Sequence, residues 1–306
     1  MAAVLPSLHI RPFQAWRDAS SVSRLIEICF DMEQSTQRSS ALFLDNLQRW
    51  MEWSSMPGGY VWEENGEVVG NVSLVRIRYR QRSIGLIANV AVHPSFRRRG
   101  IGGALVEKAI QEALRSRVEE IWLQVREDNE GAISLYQRLG FVIRAWRRLW
   151  YTLTTPDVPS YPAYIVRPTP RAHWHQVKQW FEQLHPEELG WYHQWEWELA
   201  RPGWEMRLWR AFLGITAAQW TSFYQGQPQA TILWHPSPRG ENGLWLAYGP
   251  KISPQAILPL LWKVRQAFYY RQRTLYLEHP LSEWDETLRA AGFSIVRTLL
   301  WMRLVR

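Results

Sequence analysis

The chain has 306 residues, a formal net charge of +8 and a hydrophobic content of 46%. This length fits two domains of about 150 residues each. No apolar run approaches the roughly 18 residues that a membrane-spanning helix needs. The first residues lack the charged and apolar regions of a signal peptide. A single cysteine, Cys29, excludes an internal disulfide, so we expect a cytoplasmic protein.

The basic charge favours anionic partners, either a phosphate-rich cofactor or nucleic acid, although a solvated basic surface explains it equally well. The chain also contains twenty tryptophans, which could stack on bases. Core packing and the lining of apolar pockets account for them better, so a nucleic-acid partner is unlikely. His173 and His175 are two residues apart on a predicted helix and face different sides, and we predict no metal site.

The first half alternates between strand and helix patterns, with a hairpin signal at Asn65-Gly66. A short apolar run then leads into a loop, a glycine-rich turn and an amphipathic helix, over Val90–Leu105 (VAVHPSFRRRGIGGAL). The pattern predicts strands at 8–13, 60–64, 67–76, 85–92, 121–125 and 141–153, and helices at 15–30, 39–53, 102–117 and 129–139.

The turn inside this stretch is typical of an anion site. Unpaired N–H groups and the positive end of the helix dipole meet at a helix start, and glycine lets a ligand approach the backbone closely. Three arginines reinforce the positive charge. The residues concerned are Arg97, Arg98, Arg99, Gly100, Ile101, Gly102 and Gly103.

The pattern then restarts after a proline-rich segment, 154–163, which we interpret as a linker. Tyr164–Pro168 repeats His9–Pro12, and Ala290–Phe293 repeats Arg138–Phe141, with further matches in the same order about 150 to 160 residues apart. The sequence therefore predicts a tandem duplication of one α/β fold, with domains at 1–153 and 164–306.

Together, three motifs resemble the GCN5-related N-acetyltransferases. Arg97–Gly102 fits the [Q/R]-x-x-G-x-[G/A] loop, Val90–Pro94 resembles the fourth strand, and Asn129–Phe141 resembles the N-x-x-A-x-x-L-Y-x-x-x-G-F segment. The resemblance covers 8–153 well and 164–306 only as a diverged copy. It implies a mixed, mostly antiparallel twisted sheet flanked by helices, present twice, with the second copy degenerate.

The resemblance also implies acetyl-CoA as the acyl donor and direct attack by an amine. The pyrophosphate would bind the N–H groups of the glycine turn, and the pantetheine arm would follow the main chain of Val90, Ala91 and Val92. Asn129 would contact the arm, or it would simply cap a helix. Tyr136 matches the general acid, or it is a packed aromatic. The amide of Val92 is the candidate donor to the thioester carbonyl.

The general base is not apparent. Ile121–Arg126 resembles the bacterial ribosomal-protein N-terminal acetyltransferases, in which a glutamate often stands where this chain has Gln124. Asn89 lies where some relatives carry an acid. Base catalysis therefore needs a water held by Gln124 and Asn89, another residue such as Glu127 or His93, or an amine that arrives neutral.

The second half lacks these parts. Two prolines interrupt the segment equivalent to the phosphate loop, and Leu288 stands at the tyrosine position. We expect this half to be non-catalytic, as a scaffold or as part of the acceptor site. The acceptor is either a protein or peptide N-terminus or a small amine. The alternative is a non-catalytic protein that senses CoA or binds nucleic acid, and the sequence leaves the oligomeric state open.

Overall fold

The computed structural model describes residues 9–31, 58–157, 159–193, 196–236, 242–271, 274–282 and 284–305. The chain divides into two compact units, the first formed by 1–145 and 300–306 and the second by 146–299. The helix expected at 39–53 lies outside the described residues. No helix of the described ranges is long and apolar enough to cross a membrane.

The first unit follows the predicted order of strands and helices. Its hairpin turn has left-handed φ angles of 53° at Asn65 and 83° at Gly66, as the Asn-Gly pair predicts. The elements are β1 (Ile10–Pro12), α1 (Ala15–Asp31), β2 (Gly58–Glu64), β3 (Glu67–Tyr79), β4 (Arg82–Val92), α2 (Ile101–Arg115), β5 (Glu120–Arg126), α3 (Glu130–Arg138) and β6 (Phe141–Leu153).

The second unit repeats this order, which confirms the predicted duplication of an α/β fold. Its helix α7 begins at Pro254, because proline is well suited to the first position of a helix. The elements are β7 (Ile165–Pro168), α4 (Trp174–Leu184), α5 (Gly190–His193), α6 (Trp204–Phe212), β8 (Ala218–Tyr224), β9 (Gln227–Pro236), β10 (Asn242–Tyr248), α7 (Pro254–Ala267), β11 (Thr274–Pro280), α8 (Asp285–Ala290) and β12 (Ser294–Leu304).

The sheet of the first unit is mixed. Its strand order is β1-β2-β3-β4-β5, followed by the 300–304 part of β12 and the 141–145 part of β6. The pairs β1–β2, β2–β3 and β3–β4 are antiparallel, and β4–β5 is parallel. Helix α2 buries Leu105, Val106 and Ala109 against this sheet.

The C-terminal residues of the chain belong to the first unit, whereas the sequence placed the boundaries at 153 and 164. Leu300 and Met302 are fully buried in the core of this unit, and Leu304 packs against it. These residues alternate along β12, so one face of the strand is buried. The packing explains why 300–306 join the first unit.

Candidate active site

Strands β4 and β5 diverge at the centre of the first unit. Their parallel pairing runs from Ile84 opposite Glu120 to Ile87 opposite Leu123. Both strands then continue, β4 to Val92 and β5 to Arg126, without further pairs. The edge of β4 after Ile87 therefore offers main-chain groups that β5 does not use.

A β-bulge lies in the same part of β4. The register with β3 shifts between the pairs Asn71–Ala91 and Ser73–Ala88, so β4 contains one extra residue there. Asn89 adopts the left-handed φ of 51°, and its main-chain oxygen accepts a 2.9 Å hydrogen bond from the Asn71 side chain. The bulge turns the strand directly before Val90.

The N–H group of Val92 points toward the diverging side. The N–H of the next residue, His93, donates to the Val69 oxygen on β3 at 2.9 Å. Neighbouring residues of a strand direct their main-chain groups to opposite sides, so Val92 faces away from β3. Its carbonyl oxygen accepts from Cys29 Sγ at 3.3 Å and Arg97 Nε at 3.1 Å.

The glycine turn has the geometry that the sequence predicts for an anion site. Gly100 is the N-cap residue of α2 and has a φ of 80°. No side chain of the described residues accepts a capping hydrogen bond from the N–H groups at this helix start. Ala104 N–H makes the first bond to the cap, at 3.1 Å from the Gly100 oxygen, so the N–H groups of Ile101, Gly102 and Gly103 have no partner within the helix. A Cβ atom at Gly100 would meet none of the described residues within 4 Å, so the described part of the chain leaves the turn open.

Only part of the arginine cluster is available to an anion. Arg97 donates to the Val92 oxygen, as described above. Arg99 forms a 2.7 Å ion pair with Glu64 and lies over the Phe96 ring at 5.2 Å from its centroid. Arg98 is exposed and has the left-handed φ of 64°. We therefore expect Arg97 and Arg98 to contribute most of the free positive charge.

Close packing of glycines brings the loop, β4 and α3 together. A Cβ atom at Gly102 would lie 3.7 Å from Val92 Cγ2 and 3.8 Å from Leu135 Cδ2, and one at Gly103 would lie 3.4 Å from Leu135 Cδ1. Tyr136 follows Leu135 on α3 and is buried in the same core as Val90 and Val92. The structure thus gathers the predicted loop, strand and tyrosine in one region.

Burial controls the chemistry of Tyr136. Its ring contacts Phe141 edge-to-face, with centroids 6.1 Å apart. Loss of solvent raises the pKa of the phenol well above its usual value, because water no longer stabilises the phenolate. Tyr136 is therefore a neutral phenol at physiological pH.

Other predicted residues have structural partners. The Asn129 oxygen accepts from Ala132 N–H at 3.1 Å, so this side chain caps α3, and its amide nitrogen remains for a ligand. Asn89 Nδ2 donates to Ser73 Oγ at 3.2 Å. His93 Nδ1 accepts from Ser95 N–H at 3.4 Å, and Glu127 is exposed.

Gln124 is the first residue of β5 after the last pair with β4. Its Nε2 atom is buried and has no hydrogen-bond partner among the described residues. The described part of the chain contains no group of three or more His, Cys, Asp or Glu side chains that could hold a metal ion.

Sequence reasoning missed the roles of Asn71 and Cys29, which contact β4 from sequence-distant elements. No local motif marks either residue, since each acts through one main-chain oxygen. The second unit differs at the corresponding places. Pro254 occupies the first position of α7, where it removes one N–H group, and Leu288 is fully buried.

The acetyltransferase (GNAT) family model matches residues 21–141. Among curated relatives, the chain is 35% identical over 119 residues to the N-alpha-acetyltransferase MAK3 of Arabidopsis thaliana, covering 37% of this chain and 61% of the relative. It is 44% identical over 66 residues to the [ribosomal protein bS18]-alanine N-acetyltransferase of Escherichia coli K12, covering 22% and 45%. The chain thus spans about half the length of the curated relatives it matches.

Solved structures extend the likeness of fold to nearly the whole chain. A GCN5-related N-acetyltransferase from Sphaerobacter thermophilus is similar with a TM-score of 0.62 and 16% identity, over 96% of this chain and 94% of the other. A tandem GNAT protein from the clavulanic acid biosynthesis pathway gives 0.54 and 15%, over 96% and 97%. The predicted fold is confirmed: the chain has a tandem GNAT fold, and the family model matches residues 21–141 within it.

Proposed function

We propose that the chain is an N-acetyltransferase that transfers an acetyl group from acetyl-CoA to a primary amine, with catalysis in the first unit. The GNAT family match over 21–141 supports acyl transfer to an amine. The observation that carries the proposal is the Val92 N–H group, which points to the unpaired edge of β4 beside the open start of α2.

The residues of the glycine turn fit a pyrophosphate. Three N–H groups of Ile101, Gly102 and Gly103 converge at a helix start that no side chain blocks. Arg98 adds an exposed positive charge. An anion held here would be stabilised both by direct hydrogen bonds and by the helix dipole.

The unpaired edge of β4 fits the amide groups of a pantetheine arm. An extended arm would add to Val90, Ala91 and Val92 as a further strand would, with the Asn129 amide as an additional donor. When bound, acetyl-CoA supplies an activated thioester. The Val92 N–H would donate to its carbonyl oxygen and stabilise the negative charge that develops there during attack.

The proposed reaction balances with one acid and one proton acceptor. The lone pair of the neutral amine forms a bond to the carbonyl carbon, the carbon–sulfur bond breaks, and the leaving sulfur takes the phenol proton of Tyr136. The nitrogen loses a proton to a water held by the carboxamide oxygens of Gln124 and Asn89. That proton then passes to bulk solvent, because neither carboxamide is a base at neutral pH, and Tyr136 regains a proton from solvent before the next turnover.

A protein or peptide N-terminus is the acceptor that the relatives favour, since two of them are named for acetylation at that position. We propose a non-catalytic role for the second unit. It has a proline at the start of α7 and a leucine at the tyrosine position. In this role the second unit either serves as a scaffold or contributes to binding of the acceptor.

A thiol-release assay tests the proposed function. Purified protein is mixed with acetyl-CoA and a panel of N-terminal peptides and small amines, while calorimetry measures CoA binding. We expect micromolar CoA binding, thiol release that needs an amine, and a mass increase of one acetyl group on the acceptor. CoA binding without turnover on any acceptor would favour a CoA sensor instead, and absence of CoA binding would refute the proposal.

A further inference from the structure

Gln124 lies on the face of the sheet opposite the core that contains Tyr136. Ile121, Leu123 and Val125 are buried in that core together with α2. Side chains alternate along a strand, so Gln124 points to the other face. It does so directly after Leu123, where β5 leaves β4.

Asn89 shares this face. Its carboxamide bonds Ser73, whose neighbours Val72 and Leu74 belong to the opposite core face. The side chains of Gln124 and Asn89 therefore lie on the same face of the sheet, on the two strands that diverge. An amine that approaches the diverging strands from this face meets both carboxamides.

The Gln124 carboxamide has an unused donor. Nε2 is buried, and no described residue accepts a hydrogen bond from it. An unpaired buried donor is costly, so the missing partner of this atom calls for an explanation. A glutamate at this position would offer only acceptors, and relatives that carry one need another group to contact a carbonyl oxygen of the acceptor. Glutamine instead offers a donor, which suits an oxygen.

We propose that Gln124 determines acceptor specificity by donating from Nε2 to a carbonyl oxygen next to the reacting amine. The acceptor class is then an α-aminoacyl group, as at a peptide N-terminus, rather than a plain alkylamine. In a peptide the first carbonyl oxygen is separated from the amine nitrogen only by the α-carbon and the carbonyl carbon, so one carboxamide can contact the oxygen while the amine reaches the thioester. This inference rests on the proposed function.

Two matched peptides test it. Both have a free N-terminus, but in one of them a trans-alkene replaces the first peptide bond, so this peptide lacks the first carbonyl oxygen without gaining a charged amine. Calorimetry with CoA-loaded protein measures binding, and thiol release measures kcat/KM. We expect the wild type to favour the carbonyl peptide at least tenfold, because a site that hydrogen-bonds its ligand rejects an analogue that leaves its polar group unpaired.

Substitutions separate this role from a structural one. Gln124→Met should reduce the preference to about twofold or less while CoA affinity stays unchanged. Gln124→Glu should also abolish it, because a carboxylate cannot donate. Gln111→Met, at an exposed position of α2, is the matched control and should keep the preference.

Equal binding of the two peptides by the wild type, or binding of neither, would overturn the inference while the proposed function could stand on other amines. A preference that survives Gln124→Met would also overturn it. Loss of CoA binding by the wild type would instead refute the proposed function itself.

Discussion

The Nδ2 atom of Asn71 donates a 2.9 Å hydrogen bond to the main-chain oxygen of Asn89, and this bond holds the bulge of β4. Asn71 is only 2% exposed, so water cannot reach its carboxamide and replace this hydrogen bond. Asn89 has a φ of 51°, in the left-handed region that asparagine adopts more readily than most residues other than glycine. The pair links a buried side chain to the strand that precedes Val92.

Asn71→Ala should loosen β4 and weaken CoA binding about tenfold, because the main-chain oxygen of Asn89 loses its partner and the bulge loses the bond that holds it. Hydrogen–deuterium exchange of the segment 88–92 should become faster in this variant. Asn89→Gly is the companion variant, since glycine accepts the positive φ without strain. It should restore part of the affinity in the Asn71→Ala background. Normal exchange and normal affinity in Asn71→Ala would contradict this role.

Gly102→Leu should abolish CoA binding measurable by calorimetry. A Cβ at this position is already in van der Waals contact with Val92 and Leu135, so a larger side chain must extend toward the proposed pyrophosphate site. Gly102→Ala is the matched control, because contacts of 3.7 and 3.8 Å are ordinary. It should keep the fold, as judged by circular dichroism, and most of the affinity. Unchanged affinity in Gly102→Leu would argue against the anion site.

Tyr136→Phe should lower kcat about 100-fold or more and leave CoA affinity within about twofold, because the variant removes only the proton donor. The ring contact with Phe141 is retained, which keeps the fold. Turnover equal to that of the wild type would exclude Tyr136 as the acid.

The pH profile provides a second measurement on the same residue. Burial raises the pKa of Tyr136, so the phenol keeps its proton through the alkaline range in which a solvent-exposed tyrosine would ionise. We expect no fall in kcat from loss of this proton up to about pH 10, the ordinary pKa of tyrosine. A fall near pH 8 that disappears in Tyr136→Phe would contradict the burial argument.

His279 should make the second unit less stable in mild acid. Its side chain is fully buried, and Tyr248 Oη lies 3.3 Å from its Nε2. Burial, with the nearby positive charge of Arg147, lowers the pKa of His279 to about 3. In the unfolded chain this imidazole takes up a proton near pH 6.5, whereas in the folded protein it stays neutral well below that pH.

The contribution of neutral His279 to the free energy of unfolding is therefore fully present above pH 6.5, and it is lost as the pH falls toward 3. At pH 5 the loss is about 2 kcal/mol, which follows from roughly 1.4 kcal/mol for each pH unit. Thermal unfolding of the wild type and of His279→Phe between pH 5 and 7 measures the difference. The melting temperature of the variant should depend less on pH than that of the wild type. Equal pH dependence in the two proteins would rule out the contribution of His279.

Local sequence patterns predicted much of the fold and the loop of the site. The Asn65-Gly66 turn, the Gly100 cap and the buried faces of α2 each follow from residues that are neighbours along the chain. Helix periodicity, turn chemistry and glycine conformation act over a few residues, so the sequence alone determined them. The repeat followed from matches in a common order along the chain, and the Asn129–Phe141 segment from its resemblance to a family motif.

Long-range pairing decided the rest. The divergence of β4 from β5, the bond from Asn71 to Asn89 and the unused donor of Gln124 depend on strands that are far apart in sequence. The assignment of Leu300–Arg306 to the first unit has the same origin. A strand pattern tells which face is buried but not which strand pairs with it, because many partners satisfy the same alternation. Only the tertiary structure selects among those partners, through packing of side chains such as Leu300 and Met302 in a particular core.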